Sequence, residues 1–292
     1  MNAPAAISVR PTGATLGAIV TGVNLAALTD AEWRQIETAF HEYAVLIFPG
    51  QQLSAEAQTA FGERFGAIEQ LVAGRNFVPI SNRRSDGSLL SDHENGMKVM
   101  MGNEGWHTDS SYMPVSAKAS ILSAHVVPAS GGQTEWADMR AAYAALDDAT
   151  RTQIADRCAY HSLKYSQARI GHVGATGSSY GFYDGEPPLR PLIKVHPVTG
   201  RPALYIGRHA YGIPGLDPNE SEKLLDGLVA FACQPPRVYS HAWNPGDVVV
   251  WDNRCVLHRA RPYDHREARV MMHVRVAGDP QTERAMEIRH AS

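Results

Sequence analysis

Apolar positions along this chain recur with two periods and switch between them often. Around Trp33, Ile36 and Phe40 the spacing is helical, and Thr29-Asp30-Ala31-Glu32 ahead of them is a capping-box pattern. A helix opening there, with that face in the core, is predicted. Ala44-Val45-Leu46-Ile47-Phe48 is instead an unbroken apolar run stopped by Pro49-Gly50, which predicts a short buried strand. Ala14 to Leu25 reads as an early strand and turn, and Ser54 as the cap of a second helix reaching about Phe65. From Gly66 to Gly102 the period fades, and the polar run from Asn82 to Ser88 is turn chemistry. This segment is read as a long connection and a candidate lid, around 66–102, leading into Trp106-His107-Thr108-Asp109.

Strands are predicted over Ala119–Val127 and Gln133–Ala137, and helices over Asp138–Leu146 and Asp148–Cys158. Leu192–Val195 and Ala203–Ile206 read as a pair around Val198-Thr199-Gly200, and Asp217–Phe231 as an amphipathic helix ended by Pro235-Pro236. Gly171, Gly174 and Gly177 match no phosphate-cradling motif and are assigned to loop geometry. Val248–Trp251 and Arg269–Val276 complete the strands. Many short strands with peripheral helices, no internal repeat and no compositional break predict one mainly β domain over 1–292, built on a jelly-roll core.

At 292 residues and 44% apolar, the chain can bury a sizeable core. The formal charge of -3, with Lys and Arg dispersed, gives no basis for binding nucleic acid or an anionic membrane, so a small-molecule partner is expected. Cys158, Cys233 and Cys255 form neither a disulfide framework nor a zinc knot, which fits a reduced cytoplasm. Met1–Thr12 lacks the pattern of a leader, and no stretch approaches the ~20 apolar residues that span a bilayer. A soluble cytoplasmic protein is expected.

On a strand, His107 and Asp109 project to one side while Thr108 points back, so an imidazole nitrogen and a carboxylate oxygen can reach one cation. Two histidines and one carboxylate on one face suit iron(II), with the remaining positions open, and His258 is the candidate third ligand. With 13 histidines in the chain, a His-x-Asp tripeptide alone carries little weight. The donor set by itself also fits a zinc hydrolase. Two features change the balance. Arg269, Met271, His273 and Arg275 share one strand face, and an arginine turned inward needs an anion. Thr134 offers a hydroxyl to the same anion if its strand runs alongside.

Together, His107-x-Asp109, Gly131-Gly132-Gln133-Thr134, Trp251-Asp252-Asn253-Arg254, His258 and Arg269 resemble the iron(II)- and 2-oxoglutarate-dependent dioxygenases of the taurine and dichlorophenoxyacetate type. Within that family the resemblance is to the aryloxyalkanoate branch, which acts on (S)-dichlorprop and related herbicide-type acids. It runs from Pro11-Thr12-Gly13-Ala14-Thr15 and Leu46-Ile47-Phe48-Pro49-Gly50 to Gly278. It implies a double-stranded β-helix, Fe(II) held by His107, Asp109 and His258, and 2-oxoglutarate held at its distal carboxylate by Arg269 with Thr134. It further implies O2 as co-substrate and a homo-oligomeric assembly. The implied reaction hydroxylates the carbon beside the ether oxygen of an aryloxy-carboxylate, giving a phenol plus pyruvate or glyoxylate, with succinate and CO2.

Asn103 and the backbone of Ser110 fall where taurine-type relatives contact the substrate anion. Four residues past Arg269, where those relatives place a second arginine, this chain has His273, and Arg275 two positions on is the expected replacement. The substrate contacts expected from this are Arg275, His273, Asn103, Ser110, Lys98 and Tyr112. Met113 and Phe182 are further aryl-pocket candidates, and His161, Lys164 and Tyr165 are candidate lining residues. Trp106 and Trp251 are assigned to packing. Two alternatives stay open: a taurine or alkylsulfonate dioxygenase releasing sulfite, and a non-catalytic metal-binding jelly roll, against which Arg269 and Thr134 argue.

Overall fold

The computed structural model describes residues 7–70, 72, 74–177, 180–182 and 184–287. Strand β1 (Ser8–Pro11) pairs antiparallel with β2 (Ala18–Thr21), which runs parallel to β3 (Val45–Phe48). Between β2 and β3, helix α1 (Asp30–Tyr43) opens on the expected capping box: Thr29 Oγ1 accepts from the Glu32 amide, and the Glu32 carboxylate accepts from the Thr29 amide at 2.8 Å. Helix α2 (Ala55–Glu63) is capped by Ser54. The region read as featureless holds β4 (Val78–Ser81) and α3 (Asn95–Gly102).

Next come β5 (Ala119–Val126), β6 (Thr134–Asp138), α4 (Met139–Ala144) and α5 (Asp148–Ile154). The expected helix to Cys158 stops short, because Cys158 opens β7 (Cys158–His161). Helix α6 (Leu163–Ala168), β8 (Leu189–Pro191), β9 (Ile193–Val195), β10 (Pro202–Leu204) and β11 (Ala210–Tyr211) follow. Strands β9 and β10 form the expected pair, while β7 joins β8 and β11 in a separate small sheet. Helix α7 (Pro218–Ala232) is capped by Asp217. The chain then gives β12 (Val238–His241), β13 (Val248–Asp252), β14 (Val256–Ala260), β15 (Val270–Val276) and α8 (Pro280–Glu283).

Two sheets make the jelly roll: a seven-stranded one in the order β1-β2-β3-β13-β5-β15-β4, and a three-stranded one in the order β12-β6-β14. Leu122, Val249 and Met271 of the large sheet pack in one core with Trp136 and Leu257 of the small one. The opposite face of the large sheet, including Leu46, Phe48, Ile121, Val248, Val250 and Val274, is covered by α1 and α2 through Ile36, Phe40 and Phe61. Burial on both faces explains why β3 and β13 read as continuous apolar runs. Each fully buried valine of β13 contributes roughly 1.5–3 kcal/mol. Among the described residues no helix is long and apolar enough to cross a membrane.

Candidate metal centre

Between the two sheets lies a cavity of about 70 Å³ lined by Ile80, Leu122, Trp251, Arg269, His273 and Arg275 from the large-sheet side. Thr134, His258 and Ala260 line it from the small sheet, and Asn103, His107 and Asp109 from the connection after α3. The stretch from Trp106 to Asp109 is not the expected strand. Only His107 pairs, through an isolated bridge in which its amide donates to His258 O at 3.0 Å and His258 N donates to His107 O at 2.7 Å. Asp109 begins a turn that takes Ser110 into the left-handed region at φ +53°. The facing expected of a strand survives: His107 and Asp109 line the cavity, while Thr108 Oγ1 donates to Asn253 O at 2.7 Å.

His107, Asp109 and His258 bring one donor atom each within 4.8 Å of one another. His107 Nδ1 lies 2.8 Å from Gly105 O, and since a carbonyl only accepts, that nitrogen carries the proton and leaves the Nε2 lone pair for a cation. Burial drives the His107 pKa down to about 4, and burial with the neighbouring His107 drives that of His258 well below its ordinary value. Both rings are therefore neutral, the form that ligates. His258 Nδ1 is buried with no hydrogen-bond partner among the described residues, and Nε2 stands 3.7 Å from Asp109 Oδ2. With one imidazole nitrogen unpartnered and both rings beside a carboxylate, the three residues fit a divalent cation.

Burial alone would raise the pKa of Asp109, but the Arg275 guanidinium beside it outweighs this and holds the group ionised. Ser120 Oγ donates to Asp109 Oδ2 at 2.6 Å, and Arg275 Nη2 donates to Oδ1 at 2.8 Å. Asn253, in the turn joining β13 to β14, is the hub behind this carboxylate: its Oδ1 accepts from Trp251 Nε1 at 3.0 Å, and its Nδ2 donates to Ser120 Oγ at 2.9 Å. No sequence argument assigned these roles to Ser120 and Asn253. Ser120 and Asn253 lie 133 positions apart and meet only in the fold, and the only signal was the occurrence of Asn253 in a recognisable turn.

Arg269 stands immediately before β15, with its backbone amide held by Asn82 Oδ1 at 2.8 Å. Its guanidinium is buried. It donates through Nε to Gly132 O at 3.3 Å and lies 5.9 Å from the centre of the Tyr263 ring, and no ion pair satisfies it among the described residues. Burial pulls its pKa down to about 10. Thr134 faces the same cavity, and its Oγ1 accepts from Trp243 Nε1 at 3.0 Å, which leaves the hydroxyl hydrogen free to donate.

Of the expected substrate contacts, Asn103, His273 and Arg275 line this cavity and Lys98, half-buried on α3, does not. His273 lies parallel to Trp251 with ring centres 6.2 Å apart, and burial takes its pKa down to about 3. Arg275 does not stand free: besides Asp109 it donates through Nη1 to Ser110 Oγ at 3.0 Å. Tyr112 hydrogen-bonds Arg275 and lines a neighbouring cavity of about 190 Å³ together with His161 and Lys164. Lys164 itself pairs with Asp184 at 2.7 Å. Phe182 is buried against His172, Met113 O accepts from Arg190 and Tyr165 stacks on Tyr211, all outside the cavity lining. Trp106 packs under Arg259 at 4.5 Å.

Comparison with known proteins agrees with this geometry. The chain is 55% identical over 286 residues to an (S)-phenoxypropionate/alpha-ketoglutarate-dioxygenase of Delftia acidovorans, covering 96% of this chain and 98% of that one. It is 40% identical over 249 residues to an alpha-ketoglutarate-dependent 2,4-dichlorophenoxyacetate dioxygenase of Cupriavidus pinatubonensis, covering 82% and 86%. Among solved structures, AAD-2 in complex with Mn(II) and N-oxalylglycine superposes with a TM-score of 0.88 at 40% identity, covering 97% of this chain and 99% of that one. The family model for the taurine catabolism dioxygenases matches residues 8–276. The chain therefore belongs to the taurine catabolism dioxygenase TauD, TfdA family.

Proposed function

We propose that this chain is an Fe(II)- and 2-oxoglutarate-dependent dioxygenase that cleaves aryloxyalkanoate ethers. The observation that carries the reading is one small cavity offering a His-Asp-His donor set and a separate buried arginine that no carboxylate among the described residues pairs with. A keto acid that chelates a metal through one end and presents a carboxylate at the other answers both needs. A zinc hydrolase would leave Arg269 unused.

Bound iron(II) supplies the open coordination positions and the redox chemistry that couple decarboxylation of 2-oxoglutarate to hydroxylation of a C–H bond. The chain does the rest. His107, Asp109 and His258 hold the metal, Ser120 and Arg275 fix the carboxylate oxygens, and Arg269 with Thr134 anchors the distal carboxylate of 2-oxoglutarate. Leu122, Ile80 and Trp251 give the otherwise polar lining its apolar part. For a 2-phenoxypropanoate, hydroxylation beside the ether oxygen gives a hemiketal that loses phenol and leaves pyruvate, while 2-oxoglutarate and O2 become succinate, CO2 and the inserted oxygen. Arg275, Ser110, Asn103, His273 and Tyr112 are the proposed contacts for the substrate acid. Lys98 keeps a place only if α3 moves.

We also read 1–292 as one domain in which the 66–102 segment covers the site. Ile80 lines the cavity, Asn82 holds Arg269, and Glu69 reaches Ser110. The three cysteines are free, in keeping with a reduced cytoplasm, and a homo-oligomer is expected by family resemblance. The test is anaerobic titration with Fe(II) and 2-oxoglutarate, followed by phenol release from 2-phenoxypropanoate, with Arg269→Ala alongside. A visible charge-transfer band that weakens in the variant, with phenol formed by the parent, is expected. Release of sulfite from an alkylsulfonate with no phenol would refute the substrate, and absence of the band in iron-loaded protein would refute the co-substrate.

A further inference from the structure

Beside the metal cavity, where Arg275 forms part of its lining, a cluster of donors converges on a largely buried carboxylate of the protein itself. Ser110 Oγ donates to the Glu69 carboxylate, 2.9 Å from each oxygen, and the Tyr180 hydroxyl donates to Glu69 Oε1. Arg275 Nη1 in turn donates to Ser110 Oγ, which directs the serine hydrogen at Glu69. Among the described residues the third donor is unused: Arg275 Nε is buried without a hydrogen-bond partner there, and the nearer Glu69 oxygen stops 3.9 Å away. The shortfall has a cause in the backbone. The Glu69 amide donates to Arg275 O at 2.7 Å, and Ile68 bridges to Val276, so the main chain at 68–69 is fixed on β15 and cannot advance. Glu69 is also held against the ionised Asp109, which shares Arg275 with it.

We infer that Ser110, Tyr180 and Arg275 Nε form the receptor for the substrate carboxylate, and that Glu69 occupies it in the substrate-free enzyme as an internal carboxylate that the substrate displaces. This deepens the reading of the substrate as an aryloxy-carboxylate and rests on it. An incoming carboxylate is free of the backbone tether and completes the bond to Arg275 Nε that Glu69 leaves unmade. Glu69 moves aside by rotation about its own side-chain torsions. It thereby sets a threshold: a neutral ligand offers only weaker, uncharged acceptors in place of the charge-assisted hydrogen bonds it would break, so the device selects for acids.

The test uses enzyme loaded with Fe(II) and 2-oxoglutarate under argon, with binding read by calorimetry in the parent, Glu69→Gln and Glu69→Ala. The probes are 2-phenoxypropanoate, phenylacetate and 2-phenoxypropanamide. Removing a competing charge some 4–6 Å from the bound anion should tighten both carboxylates about tenfold or more, with the amide changed less than twofold. Carboxylate binding that is unchanged or weaker in both variants, with thermal melts showing intact protein, would overturn the inference and make Glu69 a brace for Arg275. A variant that fails to fold points to the same brace, and the other then decides. If phenylacetate tightens in the variants but no protein releases phenol from 2-phenoxypropanoate in air, the aryloxy reading falls and the receptor stands.

Discussion

Arg269 gives the sharpest prediction, because the same feature that suits it to a ligand makes it a burden without one. Its pKa falls from the ordinary 12.5 to about 10 through burial, only partly offset by Tyr263. That displacement corresponds to about 3 kcal/mol against the charged form in the fold. The sign follows from linkage. A cation whose folded pKa is depressed carries the whole penalty at every pH below about 10 and sheds it only as pH rises toward 12.5, so the penalty is complete at neutral pH. Replacing Arg269 by methionine keeps volume and removes the charge. The losses are a long hydrogen bond to Gly132 O and a loose contact with Tyr263, together about 1–2 kcal/mol.

The Arg269→Met protein should therefore be more stable than the parent by about 1–2 kcal/mol in the absence of ligand, a rise of a few degrees in melting temperature. Saturating 2-oxoglutarate with metal should reverse the order. At a hundredfold excess over its dissociation constant, the ligand stabilises the parent by about 2.7 kcal/mol, whereas the variant loses a charge-assisted pair and gains little. Scanning calorimetry of both proteins, with and without metal and 2-oxoglutarate, reads the crossing directly. A variant that melts well below the parent without ligand would refute the claim that Arg269 stands unpaired. A variant that keeps the full 2-oxoglutarate shift would refute its role as anchor.

Other consequences are narrower. Ser120→Ala removes the hydrogen bond at 2.6 Å to Asp109 Oδ2 and strands the buried Asn253 Nδ2 donor, so it should weaken metal binding about 10–100-fold in competition with a chelator and cost about 1–3 kcal/mol of stability in urea. Thr134→Val strands the Trp243 indole N–H, so a loss of about 1–3 kcal/mol should accompany weaker 2-oxoglutarate binding; unchanged stability in urea would argue against the Trp243 contact. Burial would raise the Asp252 pKa, but Arg254 and His196 overcome it and hold the group well below the usual carboxylate range. Its stabilisation is therefore complete above pH about 4 and lost as pH falls below it. Asp252→Asn should cost about 3–5 kcal/mol and flatten the acid limb of the stability profile while leaving the metal stoichiometry intact.

Much of the frame was legible because burial imposes simple patterns. The strands Val45–Phe48 and Val248–Asp252 lie between two covered faces and so run unbroken apolar, the second as far as its last residue, Asp252. The shared face of Arg269, His273 and Arg275 follows from period two, and all three line the cavity despite the register shift between Val270 and Met271. The site's supports were illegible for a different reason. Ser120 looks like any strand serine and Glu69 like any loop acid; each acquires meaning only from a partner brought near by the fold. Strand β4 escaped notice because Pro79 breaks its pattern, yet a proline is tolerated on the edge strand it proves to be. The turn at Asp109 was misread because both a strand and a bridged turn put His107 and Asp109 on one side.

Donor inventory alone does not define a metal centre, and this chain contains the control. His41, His196 and Asp252 also bring two imidazoles and a carboxylate within 4.8 Å of one another. There, however, His196 Nδ1 accepts from the amides of Val198 and Thr199 at 3.2 and 3.1 Å, which puts the ring proton on Nε2. That proton points at Asp252 Oδ2, 3.0 Å away, and Arg254 grips both Asp252 oxygens at 2.8 and 2.6 Å. His196 has no lone pair to give, and the carboxylate already has its cation. At His107 the arrangement is inverted: the backbone carbonyl of Gly105 takes the proton of Nδ1 and leaves Nε2 facing Asp109 and His258. Two histidines and an aspartate thus form a structural ion pair in one place and the proposed metal site in the other. The direction of the backbone hydrogen bonds at each histidine's Nδ1 decides between them.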